Sequence, residues 1–233
     1  MERRSSDALR AAARRGSNPV IADLKSRSPK EGDLFGGRSP VELAVALQRA
    51  GAPALSVVTE SEHFGGSLAL LQAVVQATGL PVLRKDFFQS EADVEASKAH
   101  GASAVLLICT TTPPALLRRL FHCAHALGME ALVETHDAAE LAFARELGAQ
   151  LVGINNREIA QLELDDGTVQ RTQALAAHRP PGALLISESG MYTPADVNAA
   201  IRAGADAVLI GTAILQAPDP AAFYRTLQQR ERA

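Results

Sequence analysis

Gly101-Ala-Ser-Ala-Val-Leu-Leu-Ile108 decides the fold: a glycine, a short link, then an aliphatic run. The phrase recurs as Gly51-Ala-Pro-Ala-Leu-Ser-Val-Val58, Gly79-Leu-Pro-Val-Leu83, Gly128-Met-Glu-Ala-Leu-Val133 and Gly148-Ala-Gln-Leu-Val-Gly-Ile154. It returns as Gly182-Ala-Leu-Leu-Ile186 and Gly204-Ala-Asp-Ala-Val-Leu-Ile210. A glycine after a helical pattern ends the helix, because it accepts the left-handed backbone without a Cβ clash. An apolar run with no polar alternation is a strand covered on both faces. With the opening run Val20-Ile-Ala-Asp-Leu-Lys25, eight strands are predicted.

Helical patterns fall between them, near 39–50, 67–78, 90–100, 113–127, 137–147, 168–178 and 193–203, with a last one near 219–230. Ser39-Pro40 and Thr193-Pro194 place a capping residue before a proline at the first helical position, and Asp137 and Asp219 read as further caps. Alternating strands and helices imply a parallel sheet, since parallel neighbours need crossovers. An open doubly wound sheet usually carries a Gly-rich fingerprint after its first strand. Here that strand runs into Lys25-Ser-Arg-Ser-Pro-Lys30, so the prediction is a single (β/α)8 TIM barrel over residues 1–233, with 1–18 a short N-terminal helical extension.

Composition fits. The 233 residues are 47% hydrophobic but only 4% aromatic, which suits aliphatic layers. A net charge of −3 excludes the basic footprint of nonspecific nucleic-acid binding. No stretch approaches the roughly 20 apolar residues of a membrane helix. The basic stretch Arg3 to Arg15 reads as a helix packing on the barrel rather than a presequence. Cys109 and Cys123, in apolar patterns, read as buried reduced thiols of a cytoplasmic protein.

Polar residues gather where strands end. Asp23 and Lys25 end the first, Glu60 the second, Lys85 and Asp86 the third, and Glu134 the fifth. Asn155, Asn156 and Arg157 end the sixth, and Ser187-Glu-Ser-Gly190 the seventh. A barrel collects these ends on one face, the face that carries catalysis in such enzymes. Residues two apart share a side, so Asp23 projects with Lys25 and Asn155 with Arg157. Asp86 and Glu60 are equally readable as loop anchors. Ser189, Gly190, Gly211 and Thr212 end strands seven and eight, the corner where many barrels hold a phosphate on backbone N–H groups. A lysine beside an anionic substrate can protonate an oxygen, and a neighbouring carboxylate can carry protons. His136, just past Glu134, reads as a loop residue. No group of His, Cys and carboxylates has convincing metal spacing.

At these residues the sequence resembles the indole-3-glycerol phosphate synthases of tryptophan biosynthesis. The resemblance runs in colinear blocks: Val20–Lys25 with Ser28-Pro29, Phe64-Gly-Gly-Ser67, Pro81-Val-Leu-Arg-Lys-Asp-Phe87, Ala131-Leu-Val-Glu134-Thr-His-Asp137, Gly153-Ile-Asn-Asn-Arg157, Ser187–Gly190 and Leu209-Ile-Gly-Thr212. It implies a lyase that closes the indole ring of 1-(2-carboxyphenylamino)-1-deoxyribulose 5-phosphate, releasing carbon dioxide and water without a cofactor or metal. It further implies Lys85 as general acid, Lys25 as carboxylate holder or proton carrier, Glu134 as base or electrostatic partner, and Asp23 in the dehydration. Asn155, Arg157 and Glu188 would position the substrate, Ser28 and Phe87 line its aromatic end, and Ser189, Gly190, Gly211 and Thr212 surround its phosphate. Other tryptophan-pathway enzymes are the implied protein partners.

Three features depart from the family pattern. Asp23 stands where the family has Glu, the segment before the first strand is short, and the loop Lys30-Glu-Gly-Asp-Leu-Phe-Gly-Gly37 lacks the usual Ser-Lys-Gly. These leave open a divergent paralogue acting on a related phosphosugar adduct. A silent phospholigand-binding barrel is a third reading, against which Lys25, Lys85 and Glu134 weigh.

Overall fold

A computed structural model describes residues 4–157 and 168–231. Arg3, at the edge of the basic stretch, lies outside them, as does 158–167 of the predicted single domain. Eight parallel strands close into a barrel: β1 (Val20–Leu24), β2 (Leu55–Val58), β3 (Val82–Lys85), β4 (Ala104–Ile108), β5 (Glu130–Thr135), β6 (Leu151–Asn155), β7 (Leu184–Glu188) and β8 (Ala207–Ile210), with β8 pairing back onto β1.

The predicted punctuation holds. All seven glycines of the repeated phrase have positive φ. Gly79 and Gly148 sit in the left-handed conformation as the caps of α3 (Leu68–Thr78) and α6 (Ala138–Leu147). Ser39 caps α2 (Pro40–Arg49), Asp137 caps α6 and Asp219 caps α10 (Pro220–Leu227), each accepting a backbone N–H. Thr193 and Asp196 form a capping box on α8 (Pro194–Arg202). The helices α4 (Glu91–Ala99) and α5 (Pro114–Ala126) follow β3 and β4 as expected. The pattern at 168–178 is a short helix, α7 (Gln170–Leu175), tightening into a 3-10 turn.

Besides the N-terminal helix, two elements among the described residues lie outside the eightfold pattern. Arg27–Ser28 and Gly32–Asp33 pair as a small antiparallel hairpin in the loop after β1, and α9 (Thr212–Gln216) follows β8. The chain's end is tied to its beginning: the Tyr224 hydroxyl of α10 donates to the carbonyl of Val20 at 2.7 Å.

Strand alternation divides the barrel into two apolar zones. One face of each strand packs outward against the helices and forms the larger core. The other face fills the barrel axis with Ile21, Leu83, Ala104, Leu106, Leu132, Leu151, Ile186 and Leu209. Leu9 of α1 (Ser5–Arg14) belongs to this inner cluster at 1% exposure, so its side chain stabilises the fold by about 2 kcal/mol. The Ser6 backbone N–H donates to Glu130, at the start of β5. The helix therefore plugs the N-terminal mouth of the barrel, leaving the opposite mouth for chemistry. Among the described residues no helix is long and apolar enough to cross a membrane.

Candidate active site

The inward parity that places Ile21, Leu83, Leu132 and Ile186 on the axis continues upward into charge. Asp23 and Lys25 follow Ile21, Lys85 and Phe87 follow Leu83, Glu134 follows Leu132, and Glu188 follows Ile186. An aliphatic floor thus lies directly beneath a polar tier.

Two clefts open above that floor. The first, about 370 Å³, is walled by Phe64, Phe87, Val58, Leu106 and Ile108 and has an apolar character. The second, about 410 Å³, is lined by Arg157, Ser189, Gly190, Gly211 and Thr212, with Tyr192 at its rim. Asp23, Lys25 and Lys85 line both, so the clefts meet at two ammonium groups and a carboxylate. The Lys25 ammonium sits 6.0 Å from the centre of the Phe64 ring.

Glu134 is fully buried beside this junction. Its Oε2 lies 3.7 Å from the Lys85 ammonium, and its Oε1 accepts from the Asn155 amide at 3.2 Å. Asn155 in turn accepts the Arg157 backbone N–H at 3.0 Å, which sets the chain as it leaves β6. Asp23 is 4% exposed, and its Oδ1 has no hydrogen-bond partner among the described residues. A buried oxygen without a structural bond is a reason to look for a ligand there.

Gly153, inside β6, has a role the sequence reading missed. A Cβ there would stand 1.9 Å from a Glu188 carboxylate oxygen, so the glycine makes the space that Glu188 occupies. Gly153→Ala is expected to displace that carboxylate, lowering kcat/KM by about 10²-fold. Overpacking should remove about 1–3 kcal/mol of stability. Unchanged steady-state kinetics would remove Glu188 from the site.

At the phosphate-type corner Ser189 is the only non-glycine residue with positive φ among those described, at 61°, followed by Gly190 at 69°. Such strain costs about 1–3 kcal/mol and concentrates at ligand clamps. Gly211 faces Asp23: a Cβ there would approach the Asp23 carbonyl to 3.0 Å and its carboxylate to 3.2 Å. The glycine lets the second cleft come up against Asp23. The Arg157 guanidinium hydrogen-bonds the Tyr192 hydroxyl and lies 5.8 Å from its ring centre. Tyr192 was another residue without a sequence signal, and it is 41% exposed.

Ser28 stands apart. It is buried in the small hairpin and is not among the residues lining either cleft. Asn155, Glu134 and Glu188 belong to the polar tier but are likewise not among the residues lining either cleft. Asp86 and Glu60 line the first cleft and also anchor their loops, the second of the two roles expected of them. Asp86 pairs with Arg84 at 2.7 Å and accepts from Thr59 at 2.5 Å. Glu60 accepts the backbone N–H groups of Glu62, His63 and Phe64. Its carboxyl is held below the usual range, because these bonds and His63 outweigh burial. Glu60, Glu62 and His63 bring potential metal-ligand atoms within 4.8 Å, a grouping not expected from spacing, but both Glu60 oxygens are engaged in holding the loop.

The two cysteines are free and half-buried rather than fully buried. Burial, with Glu140, Glu134 and Asp137 nearby, pushes the Cys109 thiol up to about 12. It stays protonated and has no nucleophilic part in the site.

A closed parallel barrel with two lysines, buried carboxylates and an arginine converging at its C-terminal mouth defines an enzyme of the (β/α)8 class built for an anionic substrate. A family model described as indole-3-glycerol phosphate synthase matches residues 2–227. The chain is 45% identical to an indole-3-glycerol phosphate synthase of Thermococcus kodakarensis, over 95% of this chain and 97% of the relative. It is 41% identical to one of Pyrococcus furiosus, over 95% and 96%, and 43% identical to one of Aromatoleum aromaticum, over 94% and 83%. The chain belongs to the indole-3-glycerol phosphate synthase family.

Proposed function

We propose that this barrel converts 1-(2-carboxyphenylamino)-1-deoxyribulose 5-phosphate to indole-3-glycerol phosphate, with the roles distributed as the two clefts suggest. The observation carrying this reading is the junction: an apolar cleft suited to a benzoate ring and a glycine-lined cleft suited to a phosphate share Asp23, Lys25 and Lys85. The substrate has the same layout, an aromatic acid and a sugar phosphate joined through a ketone-bearing carbon chain.

In this reading the ring carbon that bears the carboxylate attacks the ketone carbon, and the ketone oxygen takes a proton from Lys85. Lys25 holds the carboxylate until the carbon–carbon bond breaks and its electron pair restores the aromatic ring. Carbon dioxide leaves. The new hydroxyl then departs as water while a proton is lost from the adjacent methylene, a transfer suited to Asp23 and Glu134. Buried positive charge stabilises the anionic reacting groups more strongly than charge in water would. Arg157 and Glu188 position the substrate chain, Asn155 fixes Glu134 and the start of the Arg157 loop, and Ser189, Gly190, Gly211 and Thr212 hold the phosphate. Phe87 lines the aromatic end; Ser28 supports that end from the hairpin. The chain is read as one barrel domain in the cytoplasm, with 1–18 its extension and other tryptophan-pathway enzymes the partners to test.

A fluorescence assay for indole formation, with mass spectrometry of the product, tests the reading. Turnover carries it; a folded protein that binds this substrate without turning it over would sink it. Asp23→Glu gives a second test. Asp23 is pressed close to Gly211, and its carboxylate is one methylene short of the family's usual reach. The longer side chain is expected to raise kcat about tenfold, within the range by which small changes in reach alter rate. A fall would mean that the surrounding loops are fitted to Asp.

A further inference from the structure

The reaction proposed above consumes a proton. A carboxylate enters, and neutral carbon dioxide and water leave, so each turnover takes up one H⁺ that the site must supply. Lys85 gives up its proton to the ketone oxygen, and its recharging needs a donor on the protein side.

His136 is placed to be that donor. Its side chain is 7% exposed, and its Nε2 lies 3.6 Å from Oε1 of Glu134, whose other oxygen faces Lys85 at 3.7 Å. On the other side Nδ1 lies 3.3 Å from Glu140 and 2.8 Å from the Thr110 hydroxyl, which donates to Glu140 at 2.8 Å. The His136 backbone N–H donates to the same Glu140 at 2.6 Å, fixing the residue as it leaves β5. Thr110 is exposed, and Glu140 is 19% exposed, so this end of the chain reaches solvent. The imidazole thus lies between a buried carboxylate within ion-pair distance and a surface one on its hydrogen-bonded side.

We propose that His136 is the proton reservoir for Glu134, passing an imidazolium proton through that carboxylate to Lys85 and being recharged from solvent on the Glu140 side. The role rests on the synthase reading of the same site. Each transfer moves one proton: Nε2–H to Glu134, Glu134 to the neutral Lys85 amine, then solvent to the neutral ring. His136 acts through Glu134 and is a positioning and proton-supply residue.

The surroundings favour the charged ring. Burial works against the charge, but the Glu140 hydrogen bond and the charges of Glu134 and Glu140 outweigh it, so the pKa is raised above 6.5 despite Arg171 opposing from α7. Among the described residues, Asp137 and the protonated Cys109 also lie beside this cluster, with Lys85 beyond Glu134. Glu140 is held below its ordinary value, because bonds from His136 and Thr110 outweigh its burial. The sign follows. His136 is imidazolium below its raised pKa, so its contribution to stability is full below the ordinary histidine value and lost as pH rises through the raised one; Glu140's is full above the ordinary carboxylate value and lost as pH falls through its lowered one.

Expected results for His136→Gln are a kcat fall of about 10²-fold, the usual scale for losing a positioned proton donor, with KM within about twofold. The limb of the kcat–pH profile that falls as His136 deprotonates should disappear. Added imidazole should restore part of the kcat of His136→Ala. A full kcat with an unaltered pH profile in His136→Gln overturns the proposal, as does a loss shared equally by kcat and KM that imidazole does not relieve. An NMR titration of the His136 ring in the unsubstituted protein provides a check that needs no turnover. A raised pKa that falls in Glu134→Gln supports the coupling, and a pKa that ignores this substitution removes it. If the unsubstituted enzyme fails to make indole product, the synthase reading fails and the NMR result still judges the coupling.

Discussion

Lys85→Ala is expected to lower kcat/KM by at least about 10³-fold while leaving a folded barrel, since in the proposed mechanism it removes both the proton donor and a positive charge beside the ketone. Lys85 closes β3 through backbone pairing with Val58, which alanine preserves. The cost in stability comes from Glu134, which is fully buried and loses the ammonium 3.7 Å away. Asn155 and His136 still face that carboxylate, so the melting midpoint should drop without collapse. Lys85→Arg separates the two contributions. Guanidinium keeps the charge but does not give up its proton, so a variant as inactive as alanine assigns the loss to acid catalysis. Near-normal kinetics in Lys85→Ala would end the assignment.

Glu134→Gln is expected to lower kcat by about 10²- to 10³-fold with little change in KM. The amide has the carboxylate's shape but neither holds the negative charge opposite Lys85 nor carries a proton between it and His136. Because the charge sits in the barrel interior, its neutral isostere relieves a desolvation penalty, and thermal unfolding should occur at the same temperature or higher. Stability kept while turnover is lost is the mark of a group held for chemistry. Equal losses of both in calorimetry and kinetics would recast Glu134 as structural.

The barrel and the height of its polar tier were legible because both rest on short periods. A glycine and an aliphatic run, repeated, specify the strands. The two-residue alternation put Asp23 with Lys25 and Asn155 with Arg157 on a common side, and parity with Ile21 and Leu151 makes that side the inward one. That rule extends one step further than it was applied. His136 is two residues beyond Glu134, in the loop just past β5 as expected, yet it keeps the strand's inward parity. Gly153 could be noticed as a glycine inside a strand, but its meaning lies in the Glu188 carboxylate beside it, a neighbour from β7. Tyr192 meets Arg157 only because β6 and β7 are adjacent and their loops converge. The basic stretch of α1 reads as a helix packing on the barrel but does not say which end it occupies, since a local sequence carries no information about the partner's orientation. Ser28 illustrates the converse: a family motif gives a role, while the hairpin around it sets how far its side chain stands from the clefts.

Leu9 gives the tube a stopper. With α1 seated in one end and the aliphatic layers above it, the described residues close that end of the axis, so the polar tier faces the opposite mouth. Substrate, carbon dioxide, water and product must all pass that rim. An occupied mouth therefore does two jobs at once: it holds the reactant and isolates the floor from bulk solvent, a condition reached by the arrival of substrate.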